Sequence, residues 1–178
     1  MARIVVGVAD CHVAADPEAS LVTYALGSCI GLAAYDPVAG VGGLLHFMLP
    51  ESSLDVAKSR DNPCMFADTG IPVLLERMSA HGASKRRLVV SAAGAAQLLD
   101  DQKVFEIGKR NYLATRRQLW KHGILLKNEA VGGADFRTVI LELDTGRLLL
   151  QEAGRTREWA SASRRKGDSV VIPHSDRG

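Results

Sequence analysis

The chain has 178 residues, of which 47% are hydrophobic and 24% charged, with a formal net charge of +2. This composition indicates a globular protein with a core rather than a disordered chain, and the small net charge gives no general attraction to nucleic acid or anionic lipid. No apolar run is long enough to cross a bilayer, and the first residues lack the features of a signal peptide. We therefore expect a cytoplasmic protein that does not insert into membranes.

The first half of the chain is predicted to be mainly β-structure. Runs rich in β-branched and apolar residues, separated by Gly, Asp and Pro, predict strands at residues 3–8, 21–26, 30–35 and 44–49. Residues 51–63 are polar and are predicted to form a loop. Asp68 can begin a helix whose apolar residues recur at helical spacing, and Gly82 lies where that helix would end.

The second half is predicted to add four strands and an amphipathic helix. The strand at 87–91 is followed by a small-residue helix or turn at 92–99 and an amphipathic helix at about 107–122. Strands at 124–131, 138–143 and 147–151 follow, the last two joined by a turn at Asp144-Thr145-Gly146. Beyond about residue 154 the chain is rich in Arg and Ser. We predict one domain at residues 1–153 and a flexible polar tail at 154–178.

These elements predict an α+β fold, a layered sandwich of mixed sheets with the two main helices packed outside. The strand order does not follow from periodicity. Three cysteines at wide spacing, with no C-x-x-C pair and no zinc-type Cys/His cluster, favour free thiols in a reducing compartment and no metal site.

Cys29 and His46 are the candidate catalytic residues. Cys29 follows the Gly27-Ser28 turn at the end of an element, where backbone amides can face a substrate oxygen. A thiol needs an imidazole nearby to become a good nucleophile, and His46 is the only histidine inside a strongly strand-like run near Cys29 in sequence. Thr23 could fix the tautomer of that imidazole. The alternatives are a small buried cysteine, a core histidine bonded to a carbonyl, and an ordinary strand threonine.

The order of several short motifs resembles the CheD family of bacterial chemotaxis proteins, which are chemoreceptor glutamine deamidases. The matching segments and residue are T-Y-A-L-G-S-C-I (23–30), Y-D-P (35–37), G-G-L-L-H-F-M-L-P (42–50), F-A-D-T-G-I-P-V-L-L-E-R-M (66–78), I-G-K-R-N (107–111), V-G-G (131–133), Arg137 and D-T-G (144–146). The resemblance implies that Cys29 is the nucleophile, His46 its base and Thr23 the third member. It also implies a fold similar to that of toxin-type Cys–His deamidases.

The resemblance implies that the protein hydrolyses glutamine side chains to glutamate on the cytoplasmic helices of chemoreceptors, with no cofactor. The Cys29 amide and a neighbouring amide of the Gly27-Ser28 turn would form the oxyanion hole. It also implies a regulatory partner, the phosphatase CheC. The chain departs from the family at 91–95, where Ser-Ala-Ala-Gly-Ala replaces a Phe-Gly-Gly-Ala-type run, and at Ala130, where an acidic residue is usual.

Two other functions compete with the deamidase. One is a non-catalytic adaptor that binds chemoreceptors or CheC, which the altered 91–95 run favours and the intact trio disfavours. The other is a peroxidase or thiol–disulfide exchange enzyme, which needs a resolving cysteine near Cys29. Cys11 and Cys64 could serve only if the fold brought them close.

Overall fold

The fold consists of two packed β-sheets with helices on the outer face of one of them. The computed structural model describes residues 1–97 and 102–162, with the side chains of residues 102–105 left out. The strands are β1 (Ala2–Val5), β2 (Asp10–Ala14), β3 (Ala19–Leu26), β4 (Ile30–Asp36), β5 (Val41–Phe47), β6 (Val89–Gly94), β7 (Leu126–Val131), β8 (Arg137–Glu142), β9 (Arg147–Glu152) and β10 (Arg155–Ser161). The helices are α1 (Val56–Asp61), α2 (Ala67–Ala80) and α3 (Gln102–Lys121), with 3-10 turns at Ser52–Leu54, Pro63–Met65 and Lys85–Arg87.

Within residues 1–97 and 102–162, each sheet has five strands. The first sheet has the order β1-β3-β8-β9-β10 and the second has the order β2-β5-β4-β6-β7. The pairs β1/β3 and β6/β7 are parallel, whereas the other pairs are antiparallel. The predicted α+β sandwich of mixed sheets with helices outside is therefore confirmed. Its predicted likeness to toxin-type deamidases stays a prediction.

The second sheet is the central layer. Strands β4 and β5 are buried along their whole length, so both of their faces are covered. Leu44 and Ala33 belong to the cluster between the two sheets, while Leu45 and Phe47 belong to the cluster that packs against α2 and α3. Burial on both faces explains why these strands are nearly continuous apolar runs in the sequence.

A glycine in β5 lets α2 lie directly on the second sheet. A Cβ added at Gly43 would come within 2.7 Å of side-chain atoms of Leu74 and Met78. Both of these residues are 0% exposed. Burying a side chain of this size contributes about 1.5–3 kcal/mol relative to leaving it exposed, as an upper range. The close approach of helix and sheet thus depends on the small residue in the strand.

Three sequence predictions are wrong in detail. Strand β2 was not predicted, because only Cys11 and Val13 point inward along its five residues. The predicted loop at 51–63 contains the 3-10 turn Ser52–Leu54 and α1, and a second 3-10 turn begins at Pro63. Asp55 caps α1 and Asn62 caps the second turn through their side chains. The predicted helix or turn at 92–99 continues β6 as far as Gly94, and residues 98–99 lie outside the described residues.

The predicted flexible tail is also corrected. Residues 155–161 form β10, which pairs with β9 at the edge of the first sheet. Charged residues such as Arg155, Arg157 and Glu158 are typical of an edge strand, where they discourage pairing with other chains. The change in composition therefore marks a sheet edge at this point. Residues 163–178 lie outside the described residues.

Candidate active site

Cys29 and His46 come from adjacent strands of the second sheet. Cys29 immediately precedes β4, and in the β4/β5 register Ile30 lies opposite Phe47 and Gly31 opposite His46. Side chains alternate along strands, so a residue two positions from Gly31 is a diagonal neighbour of His46 on the same face. Cys29 packs against the cluster between the two sheets, the cluster that also contains Leu44. The two predicted catalytic residues therefore share one face.

Thr23 reaches His46 from the other sheet. It lies on β3 of the first sheet, and its Oγ1 is 2.8 Å from Nδ1 of His46. Gly31 lies beneath this contact, because a Cβ there would come within 3.3 Å of Cγ2 of Thr23. The hydrogen bond between Thr23 and His46 thus joins the two layers of the sandwich at the site.

The contacts of Thr23 determine the tautomer of His46. The hydroxyl of Thr23 donates to the carbonyl of Val6 at 2.8 Å. A hydroxyl has one hydrogen, so toward the imidazole Oγ1 must act as the acceptor. Nδ1 of His46 therefore carries the proton and donates it to Thr23. Nε2 is left with a free lone pair, which is the form a general base requires.

Burial keeps His46 neutral. The residue is 1% exposed, and burial lowers its pKa to about 4. Within the described residues Nε2 makes no hydrogen bond. The imidazole is therefore unprotonated at neutral pH, and its basic nitrogen is not used by a structural contact.

Cys29 is a neutral thiol in the resting protein. Burial raises its pKa, and the residue's own backbone N–H opposes that effect. A thiol with a raised pKa beside an imidazole with a lowered one does not form a standing ion pair. The arrangement instead suits proton transfer to Nε2 as the sulfur attacks.

Hydrogen bonds fix all three carbonyls of the turn that ends at Cys29. Ala96 N–H donates to the carbonyl of Gly27 at 2.8 Å, and Ala95 N–H donates to that of Cys29 at 2.9 Å. The carbonyl of Ser28 accepts from the side chain of Asn111 at 3.0 Å. Neither Asn111 nor residues 95–96 were candidate residues from the sequence. The I-G-K-R-N motif was the available signal for Asn111.

Residues 91–95, where the chain departs from the family pattern, form a wall of the site. Gly94 has φ +121°, and a Cβ there would overlap the carbonyl oxygen of Cys29. Only glycine fits this close approach without strain. The 91–95 run, although it departs from the family pattern, therefore keeps Gly94, the residue on which the position of the turn depends.

The other two cysteines lie on the opposite side of the second sheet. Cys11 and Cys64 belong to the cluster beneath α2, and each thiol shifts the pKa of the other. The sheet separates them from Cys29, which faces the first sheet. They are close to each other but not placed to resolve an oxidised Cys29. The described residues contain no cluster of three or more His, Cys, Asp or Glu side chains able to hold a metal ion.

Known proteins resemble this chain over most of its length. A family model described as CheD chemotactic sensory transduction matches residues 48–152. The probable chemoreceptor glutamine deamidase CheD of Solibacter usitatus (strain Ellin6076) is 59% identical over 94% of this chain and 99% of its own length. The probable chemoreceptor glutamine deamidase CheD 1 of Syntrophus aciditrophicus (strain SB) is 46% identical over 86% of this chain and 96% of its own length.

Among solved structures, the chain is more weakly similar to the Bacillus licheniformis hypothetical protein YfiH, with a TM-score of 0.45 and 16% sequence identity. The match covers 70% of this chain and 51% of YfiH. In the part of the chain that the structure describes, no helix is long and apolar enough to span a membrane.

The family match begins just after His46, whereas the alignment with the Solibacter relative extends past both ends of residues 21–50. On these matches, the chain belongs to the CheD family.

Proposed function

We propose that the protein is a cytoplasmic protein-glutamine glutaminase that converts specific glutamine side chains of chemoreceptors to glutamate. The relatives' names supply the substrate class, and the site supplies the chemistry. The observation that carries the proposal is the tautomer of His46. Thr23 accepts the proton of Nδ1, and the buried Nε2, on the face that Cys29 shares, makes no hydrogen bond among the described residues.

The reaction has two halves. Cys29 Sγ attacks the carboxamide carbon while Nε2 of His46 takes the thiol proton, and a C–S bond forms. The tetrahedral intermediate collapses, the C–N bond breaks, and His46 returns the proton so that ammonia leaves. A thioester remains. His46 then removes a proton from water, which attacks the thioester, and the C–S bond breaks to release glutamate and the free thiol.

The N–H of Cys29 is the principal donor to the negatively charged oxygen of the intermediate. A neighbouring amide of the Gly27-Ser28 turn is the second donor. The three carbonyls of this turn are held by Ala96, Asn111 and Ala95. A preorganised turn of this kind needs no rearrangement when charge develops, which is why oxyanion holes accelerate acyl transfer.

The substrate surface is a helix of the receptor's cytoplasmic part. The family resemblance also supports a CheC-type phosphatase as a regulatory partner. A pull-down of the purified protein with a CheC homologue and with a receptor fragment tests both partners. Binding to neither would contradict this part of the proposal.

Mass spectrometry of a receptor fragment tests the reaction. The fragment is incubated with wild type, Cys29→Ala and His46→Ala, and each conversion of glutamine to glutamate adds about one mass unit to its peptide. We expect the shift with wild type and its loss in both variants. Unchanged receptors with wild type, on several fragments, would rule out the deamidase and favour the adaptor.

A further inference from the structure

Asn111 is a fully buried polar residue that contacts both catalytic strands. It lies on α3 and is 0% exposed. Its Nδ2 donates to the carbonyl of Ser28 at 3.0 Å and to the carbonyl of Met48 at 2.8 Å. Ser28 immediately precedes the nucleophile, and Met48 lies just beyond His46. One amide group thus joins the turn of Cys29 to the strand of His46.

We propose that Asn111 is a positioning residue: by holding the Ser28 carbonyl, it orients the backbone N–H of Cys29 toward the oxyanion. This inference rests on the proposed function. The Ser28 carbonyl and the Cys29 N–H belong to one planar trans peptide, in which they point in opposite directions. A donor that fixes the carbonyl therefore also fixes the direction of the N–H. That N–H lies against the sulfur of its own residue.

The anchoring of the turn singles out this side chain. The carbonyls of Gly27 and Cys29 accept from backbone amides of residues 95–96, which every residue except proline retains. The carbonyl of Ser28 is the one of the three held by a side chain. A point mutation of Asn111 can therefore release the peptide plane that carries the Cys29 N–H.

Gly108 allows Asn111 to reach the turn. It precedes Asn111 by three positions in the I-G-K-R-N motif, so both lie on one face of α3. A Cβ at Gly108 would come within 3.3 Å of backbone atoms of Ala95, the residue that holds the Cys29 carbonyl. The motif thus combines close helix approach with a side-chain donor.

The orphaned oxygen of Asn111 agrees with a role for its NH2 group. Its Oδ1 is buried and has no hydrogen-bond partner among the described residues. Both contacts of the amide are to carbonyls, so the amide cannot be flipped without losing them. An unpaired buried acceptor destabilises the fold. A residue that served packing alone would be better replaced by an apolar one of the same size.

The test variant is Asn111→Leu, which keeps the volume and removes the donor. Thr115→Val is the matched control, because Thr115 is equally buried on α3 and, among the described residues, its hydroxyl donates to the carbonyl of Asn111 and not to the turn of Cys29. In Asn111→Leu we expect kcat for receptor deamidation to fall about 10- to 100-fold. This decrease is no larger than the one that follows the removal of one full oxyanion-hole donor. We expect KM and the alkylation rate of Cys29 to stay within about twofold of wild type, since neither depends on transition-state charge.

Hydrogen–deuterium exchange gives a reading that does not require activity. Exchange in the peptide carrying residues 27–30 is expected to rise in Asn111→Leu and not in Thr115→Val. If Asn111→Leu does not fold, Asn111→Ala is measured in its place. A kcat close to that of wild type, or an equal loss in Thr115→Val, would overturn the proposal. If wild type itself does not deamidate, the proposed function fails, and the exchange measurement alone decides whether Asn111 holds the turn.

Discussion

At the residue scale, the hydroxyl of Thr23 accounts for the basic form of His46, and Thr23→Val tests it. Valine keeps the shape but leaves Nδ1–H and the Val6 carbonyl without their partner. The imidazole can then move its proton to Nε2, where it no longer acts as a base. We expect kcat to fall about 10- to 100-fold, part of the 10²–10⁴ that a general base contributes, with KM unchanged.

Thr23→Ser is the matched control for this prediction, because serine retains the hydroxyl. It should restore most of the activity lost in Thr23→Val. The stability of Thr23→Val should fall by about 1–3 kcal/mol, the cost of buried polar groups left unpaired. Full activity in Thr23→Val would show that Thr23 does not select the tautomer.

The sequence predicted Cys29, His46 and Thr23 with unequal physical support. Cys29 comes just before one predicted strand and His46 lies inside the next, and their common face follows from strand alternation together with the register of the two strands. The contact of Thr23 with His46 crosses from one sheet to the other, so spacing could not give it and the family resemblance did. Asn111 could not be chosen, because its distance from the turn depends on where α3 packs.

At the element scale, a buried carboxylate fixes the end of β4. Asp36 is 0% exposed and accepts from the backbone amides of Val38, Ala39 and Ser84 and from the guanidinium of Arg87. Burial alone would raise the pKa of Asp36, but the Arg87 and amide donors outweigh it and hold the pKa well below its usual range. The turn after β4 is thereby tied to the segment before β6.

Removing this carboxylate should destabilise the fold more than removing its partner. Asp36→Ala leaves three amides without their acceptor, at about 1 kcal/mol each, so we expect a loss of about 3 kcal/mol. Arg87→Ala should cost less, because the amides still pair with Asp36. Arg147→Ala is the control, since its ion pair with Glu142 lies at the surface and should be worth less than about 1 kcal/mol.

Urea denaturation measures these differences as shifts of the midpoint at constant slope. Equal losses in Asp36→Ala and Arg147→Ala would contradict the role given to Asp36. Asp36 belongs to the Y-D-P motif at the end of β4, and its bonds to Val38 and Ala39 are local bonds of the turn that follows. The bonds to Ser84 and Arg87 connect distant segments and leave no local pattern. Strands at sheet edges, such as β2 and β10, escaped prediction for a related reason, since few of their side chains are buried.

At the scale of the whole molecule, the layers explain why one face of the second sheet holds the site and the other the helices. The sequence predicted the apolar runs that form β4 and β5 but not which strands pair. Strand order places β3 of the first sheet opposite β5 of the second, and this packing buries His46. Its burial lowers the pKa of one candidate catalytic group and thereby links the site to the stability of the entire fold.

The stability of the protein should fall as the pH decreases from about 6.5 to about 4. Unfolded His46 titrates near 6.5, whereas in the folded protein burial lowers its pKa to about 4. In this window the unfolded state binds one more proton than the folded state, so the free energy of unfolding rises with pH and is lost on acidification. With about 1.4 kcal/mol for each pKa unit, the contribution of His46 reaches a few kcal/mol.

Urea denaturation at pH values from 7 to 4.5 measures this loss, and His46→Gln should flatten it. His122→Gln is the control, because the pKa of His122 is also lowered although this residue is only half-buried. Its pKa is lowered first by burial and then by the charges of Lys85 and Lys121. It should retain most of the pH dependence. Asp36 contributes in the same direction but at lower pH, since its folded pKa lies below the usual carboxylate range. If His46→Gln loses stability with acid as steeply as wild type, another group must account for the dependence, and a neutral His46 at the centre of the sandwich would be contradicted.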